Sequence, residues 1–331
     1  MQIRKAVIHA TGMYAPERVV PNSYFDTLLG ENVSEWLEQN VEIFERRWCD
    51  NDQSTADLCV NAALDAMQRG DVKPEDIDLL VVSTDTPEYV SPSTASKVQY
   101  LLGMHNAGTF DLNSACAGFV TALDLGAKYI RADENYSTVM VIGAYAMSKY
   151  LNMTDKKTVT LFADGAGAVI LKASDDPQRG FLASQLISKG EYYGHMGIYA
   201  GGTNKPVSPS VIENKDHLLK FVTKFPKELN PEMWSMMAQE LSQRIGVKPH
   251  EVDHYFLTQI NINSIRETMD KLGVDRSKAP TVMHKYGYTG SACIPFALHQ
   301  TILEGRVKRG DLMYFIGSGG GLAFASAAFR F

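Results

Sequence analysis

Two stretches decide the fold together. Lys73-Pro74-Glu75-Asp76-Ile77-Asp78-Leu79-Leu80-Val81-Val82-Ser83-Thr84 is answered 175 residues later by Lys248-Pro249-His250-Glu251-Val252-Asp253-His254-Tyr255-Phe256-Leu257-Thr258-Gln259. Each is a proline-led turn followed by a largely apolar run ended by polar residues, the pattern of a strand buried on both faces. Further pairs keep the same order at offsets of 170 to 177: Leu102-Gly103 with Leu272-Gly273, Ser114-Ala115-Cys116-Ala117-Gly118-Phe119 with Ser291-Ala292-Cys293-Ile294-Pro295-Phe296, and Val141-Ile142-Gly143 with Phe315-Ile316-Gly317. The period is far too long for a solenoid. It marks a two-fold duplication of a β/α unit, with halves at 1–173 and 174–331. Each half is expected to bury strands under helices, the two packing on a pseudo-dyad.

Working outward, Lys5 to Gly12 reads as a strand entering a glycine turn, and Asn22 to Arg46 as a helix and a loop with Trp36 exposed among charges. Helical spacing covers Ser54 to Arg69 and Ser93 to Leu102, the latter closed by Gly103. Thr138 to Gly143 is a strand. Phe162-Ala163-Asp164-Gly165-Ala166-Gly167-Ala168-Val169-Ile170-Leu171 reads as a glycine turn feeding a strand. Pro206 to Pro231 is irregular and lysine-bearing. Helices are expected at Pro231 to Ile245, at Asn263 to Leu272 and in the run that ends at Glu304.

The 331 residues are 45% hydrophobic with a net charge of −6, enough for a full core. No Lys/Arg-dense run points to nucleic acid. Apolar runs are strand-sized, far below a membrane span, and the N-terminus shows no signal-peptide core. Cys49, Cys59, Cys116 and Cys293 lie far apart with no CxxC pair, so neither a metal site nor a disulfide framework is indicated. A cytoplasmic protein of a reducing compartment is expected.

Cys116 stands where a short strand, Phe110 to Leu112, meets a helix-like run from Phe119 to Ile130. Small residues on both sides leave room for a substrate. A thiol at a helix N-terminus feels the positive end of the dipole, which favours the thiolate and suits covalent acyl transfer. A small buried filler is the other reading, since free cysteines are commonly buried.

The duplication, the Ser114–Phe119 segment, the Phe162–Ala168 segment and the ending Gly317-Ser318-Gly319-Gly320-Gly321 to Phe329-Arg330-Phe331 resemble β-ketoacyl-acyl-carrier-protein synthase III of the thiolase superfamily, over essentially the whole chain. The resemblance implies a thiolase-like α/β fold layered α-β-α-β-α. It implies that Cys116 takes an acyl group from an acyl-CoA or acyl-carrier-protein thioester. A malonyl thioester is then decarboxylated and condensed onto it, in fatty acid or polyketide-like biosynthesis. No metal and no other cofactor is implied, and a homodimer is. The acyl oxyanion would be held by the backbone N–H groups of Cys116 and Gly320, beside Gly319. Cys293, the duplicate of Cys116, is expected in the core.

The family's histidine and asparagine positions hold Thr258 and Tyr288. Each offers one hydroxyl, and neither supplies an imidazole's neutral-pH base. His284, four residues before Tyr288, is a candidate substitute acid or base. Asp85 and Glu88, on the loop expected at the subunit interface, are candidate carboxylate bases. His254 is set aside because a strand of that length puts it about 13 Å from Thr258, and His299 is expected to be solvated. Trp36 keeps the family's tunnel tryptophan, suited to stacking on a CoA adenine. Lys156 stands where a tunnel arginine is usual, Asn40 replaces another arginine, and Asn263 and Ser235 stand at carrier-docking positions. Asn261 is retained beside the substrate. Lys157, Lys215, Lys220, Lys224 and Lys227 are candidate replacements for the missing cations. Ser91 takes the place of a bulky aromatic that caps the acyl pocket from across the dimer, which predicts a chain longer than acetyl. Transfer from acyl-Cys116 without decarboxylation, and a non-catalytic subunit of a heterodimer, are the alternatives to condensation.

Overall fold

The computed structural model describes residues 4–331. Two sheets carry the duplication. The first runs in the order Lys5–Tyr14, Asp164–Ser174, Thr138–Ala146, Leu79–Ser83, Gly108–Leu112, with the last three strands parallel. The second runs Gly180–Ser188, Ala323–Arg330, Leu312–Gly319, His254–Leu257, with the last two parallel. The second repeats the order of the first and lacks only a partner for Gly108–Leu112, which is the free edge of the first sheet. The last strand of the first sheet ends at Ser174 and the first strand of the second begins at Gly180.

Helices Gly118–Ala132 and Cys293–Leu303 lie between the sheets, packed on strands of both. Thr55–Gly70 and Thr94–Leu102 cover the outer face of the first sheet, and Leu229–Ile245 with Ile262–Leu272 that of the second. The result is five layers, α-β-α-β-α. Three apolar clusters fill the spaces, the largest between the sheets around Phe119, Val141, Phe296 and Phe315. A strand buried on both faces has to be apolar throughout, which is why Leu79–Ser83 shows no alternation.

Two expected glycine turns are strand interiors instead. Gly12 lies inside Lys5–Tyr14, where a Cβ would stand 2.3 Å from the Ala66 backbone nitrogen. Gly165 and Gly167 lie inside Asp164–Ser174, where a Cβ would meet Phe296 at 2.4 Å and Pro295 at 2.6 Å. These glycines serve close helix-on-sheet packing rather than chain reversal. His299, expected in solvent, is 1% exposed. It faces Thr11 Oγ1 at 2.9 Å because the central helix is covered on both sides.

Asn22 to Arg46 forms two helices, Asn22–Leu29 and Ser34–Asn40, then a short strand. Buried Arg46 anchors it by donating to the Val20 carbonyl, to Asn22 Oδ1 at 2.8 Å and to the Thr160 carbonyl at 2.6 Å. Burial pulls its guanidinium down to about 9. The segment carrying Trp36 is thereby tied to the segment carrying Lys156.

Candidate active site

The edge strand Gly108–Leu112 delivers the chain into Asn113, whose Oδ1 accepts from the Ala115 N–H at 3.0 Å. Ala115 takes φ +45°, a left-handed conformation costly for a residue with a Cβ. A 3-10 turn over Ala115–Ala117 then precedes the helix Gly118–Ala132. From the other half, the Ser291 hydroxyl donates to the Ala115 carbonyl at 3.0 Å. The end of the strand Leu312–Gly319, where it enters the glycine turn, crosses directly over this segment. A Cβ on Gly319 would lie 2.5 Å from both the Cys116 nitrogen and the Ser114 oxygen.

A cavity of about 570 Å³ ends at this junction and is lined by Cys116, Tyr288 and Ser318–Gly320 at its base. Its mouth carries Trp36, which is 56% exposed, with Lys156, Lys157, Lys224 and Lys227. Phe221 and Phe225 from the irregular region form one wall with Met196, and Ile260, Asn261 and Leu322 contribute another. The lysine-bearing stretch is thus a wall of the cavity and brings Lys224 and Lys227 to it. Lys156 pairs with Glu31 at 2.9 Å, whereas Lys157, Lys224 and Lys227 have no carboxylate partner among the described residues. Lys215 and Lys220 lie in a separate cleft, with Lys220 paired to Asp216.

The thiol differs from the dipole-lowered thiolate that its position predicts. Cys116 is 3% exposed. Burial, and after it the nearby charge of Asp85, pushes the thiol well above its usual value, while a hydrogen bond with the Tyr288 hydroxyl pulls the other way. Desolvation wins because the sulfur sits in the 3-10 turn before the helix, almost wholly covered by protein. Tyr288 is buried at 2% and its hydroxyl is itself pushed well above the ordinary range, so it stays a donor.

Thr258 and His284 are not brought to the cavity. Thr258 is fully buried. Its Oγ1 accepts from the Ser318 N–H at 2.9 Å, so it fixes the glycine turn rather than facing a substrate. His284 is exposed on the short helix Met283–Tyr286, with its carbonyl bonded to the Phe44 N–H. That helix reverses the chain before Gly287, which points the ring to solvent. Ser91 is exposed on the loop before Thr94–Leu102 and lines no part of this cavity. Asn261 caps the helix Ile262–Leu272 by accepting from the Asn263 N–H at 2.9 Å. Among the described residues no three His, Cys, Asp or Glu side chains group as metal ligands, and no helix is long and apolar enough to cross a membrane.

Residues 110–190 match the 3-oxoacyl-[acyl-carrier-protein] synthase III profile and residues 242–331 match its C-terminal profile. A β-ketoacyl-[acyl-carrier-protein] synthase III of Symbiobacterium thermophilum is 34% identical, covering 100% of this chain and 99% of that one. The chain belongs to the 3-oxoacyl-[acyl-carrier-protein] synthase III family. The synthase III of Xanthomonas campestris is 33% identical over 98% of both chains. Among solved structures, the synthase III of Aquifex aeolicus superposes with a TM-score of 0.89 at 30% identity, covering 98% of this chain and 100% of that one. The priming β-ketosynthase of the R1128 polyketide pathway gives 0.88 at 27%, covering 99% and 97%. The fold is therefore thiolase-like, and the family is one of acyltransferases.

Proposed function

We propose that this synthase III family member loads an acyl group from an acyl-CoA or acyl-carrier-protein thioester onto Cys116 and condenses it with a malonyl thioester. The observation that carries this is the cavity running from Trp36 to the Cys116 thiol, closed by the turn Ser318–Gly320. Glycine at 319 lets that turn reach the nucleophile's own backbone. The N–H groups of Cys116 and Gly320 are the proposed oxyanion donors, and Tyr288 donates to the thioester oxygen of the second substrate. Trp36, with Lys156, Lys157, Lys224 and Lys227, suits the phosphates of CoA or of a carrier's phosphopantetheine. An acyl carrier protein is the proposed macromolecular partner, the free edge Gly108–Leu112 the proposed homodimer seam, and the cytoplasm the proposed location. The chemistry proposed here uses thioester substrates and calls on no metal or other cofactor.

Intact-mass measurement with acyl-CoAs of several lengths tests the loading step. No adduct with any of them would end the proposal. Adding malonyl-acyl-carrier-protein then tests condensation, with CO2 and a β-ketoacyl product expected. One observation favours a second reading, transfer to another nucleophile without decarboxylation. The Thr258 hydroxyl is committed to Ser318, leaving Tyr288 as the single donor of that pair in the cavity. An acyl-enzyme that persists with the malonyl substrate but discharges to an alcohol, amine or carrier thiol would establish it.

Two substitutions probe the site. Tyr288→Phe removes the hydrogen bond that favours the thiolate, so the Cys116 pKa is expected to rise further. Condensation is expected to fall about 10²- to 10³-fold, the scale of one lost oxyanion donor. Steady-state turnover near the wild-type value would take Tyr288 out of the reaction. Ser91→Phe is expected to shift chain-length preference toward shorter acyl groups, and an unchanged kcat/KM ranking across chain lengths would remove Ser91 from the acyl wall.

A further inference from the structure

One oxygen of the Asp85 carboxylate, Oδ1, has no hydrogen-bond partner among the described residues. Three parallel strands, Leu79–Ser83, Gly108–Leu112 and Thr138–Ala146, end on one edge of the first sheet. At or just beyond those ends stand Asp85, Cys116 and Tyr145. Chemistry in open α/β sheets collects at the carboxyl ends of parallel strands. The loop holding Asp85 is fixed on both sides. The Thr84 N–H donates to the Leu112 carbonyl at 3.1 Å, Thr86 Oγ1 accepts from the Ala146 N–H at 2.9 Å, and the Thr55 hydroxyl donates to the Thr86 carbonyl at 2.6 Å. Between these anchors, Asp85 Oδ1 is buried with no hydrogen-bond partner among the described residues. An orphaned buried acceptor costs stability, and few native structures keep one without a use for it. Glu88, three residues on, shows the contrast. Its oxygens accept from the Ala56 N–H at 3.0 Å and from Lys97 at 2.6 Å.

The groups that feel the Asp85 charge are the Cys116 thiol and the hydroxyls of Tyr145 and Tyr150, with the Glu88–Lys97 pair farther along the same loop. Among the described residues no cation offsets the burial of the Asp85 carboxyl, which rises to about 6. It is an anion at neutral pH, and the strand before it packs on the nucleophile's helix, where a Cβ on Gly118 would stand 2.2 Å from the Ser83 hydroxyl oxygen; burial keeps the Cys116 thiol protonated.

We propose that Asp85 is the proton acceptor for Cys116 during acyl loading. This rests on the acyl-transfer function proposed above. The Cys116 S–H bond breaks and its proton passes through one bridging water to the Asp85 carboxylate as sulfur bonds to the thioester carbonyl carbon, since no donor of the described residues lies within hydrogen-bond distance of Oδ1. The bond from that carbon to the carrier sulfur then breaks, and the leaving carrier thiolate takes the proton back. Acyl-Cys116 and a free carrier thiol result, Asp85 returns to its starting charge, and no other reactant is used. A thiol that is not ionised in the resting protein can react this way, and no imidazole is required.

The test is single-turnover loading from octanoyl-CoA, followed by intact mass from about pH 5 to about pH 9, in the full chain and in Asp85→Asn. A lost general base is expected to slow loading about 10²- to 10⁴-fold near neutral pH. Wild-type loading should fall below about pH 6, where Asp85 takes up its proton, and stay level above it. Asp85→Asn should instead climb about tenfold per pH unit, because only thiolate then reacts. Asp85→Glu should recover part of the rate. Thiolate absorbance, taken as the difference from Cys116→Ala, supplies a second readout. Removing the neighbouring negative charge makes the thiol more acidic, so the variant should ionise more easily yet load more slowly, two directions that a purely structural or electrostatic role does not combine. Loading in Asp85→Asn that is unchanged or faster overturns the assignment, as does a wild-type profile with no break near pH 6. If Asp85→Asn does not fold, Asp85→Ser carries the same comparison. Absence of any adduct in the wild-type protein defeats acyl transfer itself, whereas an adduct that forms equally fast without Asp85 defeats only its role as base.

Discussion

Cys116→Ala is expected to abolish acyl loading, with turnover falling on the order of 10⁶-fold, the scale for a lost catalytic nucleophile. Loss of one sulfur inside a packed turn should leave the fold intact, so the variant separates chemistry from stability. Its twin supplies the control. Cys293 opens the matching central helix and is 1% exposed, with its thiol pushed up to about 12 by burial. It does not line the cavity. Cys293→Ala should therefore keep the acyl adduct and lose only about 1 kcal/mol of stability from poorer packing. Mass spectrometry of both variants after exposure to acyl-CoA decides the matter, and an adduct that persists in Cys116→Ala would place the nucleophile elsewhere.

Gly319→Ala is expected to have the next largest effect, on stability and on chemistry together. The new methyl would stand 2.5 Å from the Cys116 nitrogen, 2.5 Å from the Ser114 oxygen and 2.8 Å from the Ala117 nitrogen. All three are backbone atoms of the nucleophile's turn, so no side chain can swing aside to relieve the contact. Either the glycine turn or the 3-10 turn must move. We expect a loss of about 1–3 kcal/mol, typical of overpacking, and a fall of about 10²-fold in acyl loading from misplacing the sulfur and its oxyanion donors. Thermal denaturation and single-turnover loading read the two effects separately. Gly194→Ala, where a Cβ would meet nothing within 4 Å, should match the wild type in both. A Gly319→Ala protein that loads at the wild-type rate would show that the crossing of the two turns is not needed for catalysis.

Both predictions depend on a junction that belongs to neither half alone. Cys116 comes from the first half, the glycine turn and Tyr288 from the second, and Ser291 holds the Ala115 carbonyl across the pseudo-dyad. The duplication was legible because strand periodicity and proline-led turns are local, and a repeated local pattern shows even when few residues are identical. Trp36, Lys156, Asn261, Tyr288, Gly319 and Gly320 share the cavity of Cys116. Thr258 and His284 do not. Position in an aligned segment does not say which way a hydroxyl points, and Thr258 turns to the Ser318 amide because a fully buried hydroxyl needs a partner. His284 sits on a four-residue helix ahead of a glycine at φ +65°, and the reversal there carries its ring outward.

The sequence by itself determined the two-fold β/α architecture and the placing of a cysteine where a strand gives way to a helix. Those are properties of pattern and composition, readable along the chain. Tertiary structure decided the protonation chemistry. Burial between two sheets raised the Cys116 thiol instead of leaving it to the helix dipole, and it gave Glu88 its partners while stranding Asp85 Oδ1 without one. Desolvation depends on what surrounds an atom in three dimensions, and residues far apart in the chain supply those surroundings.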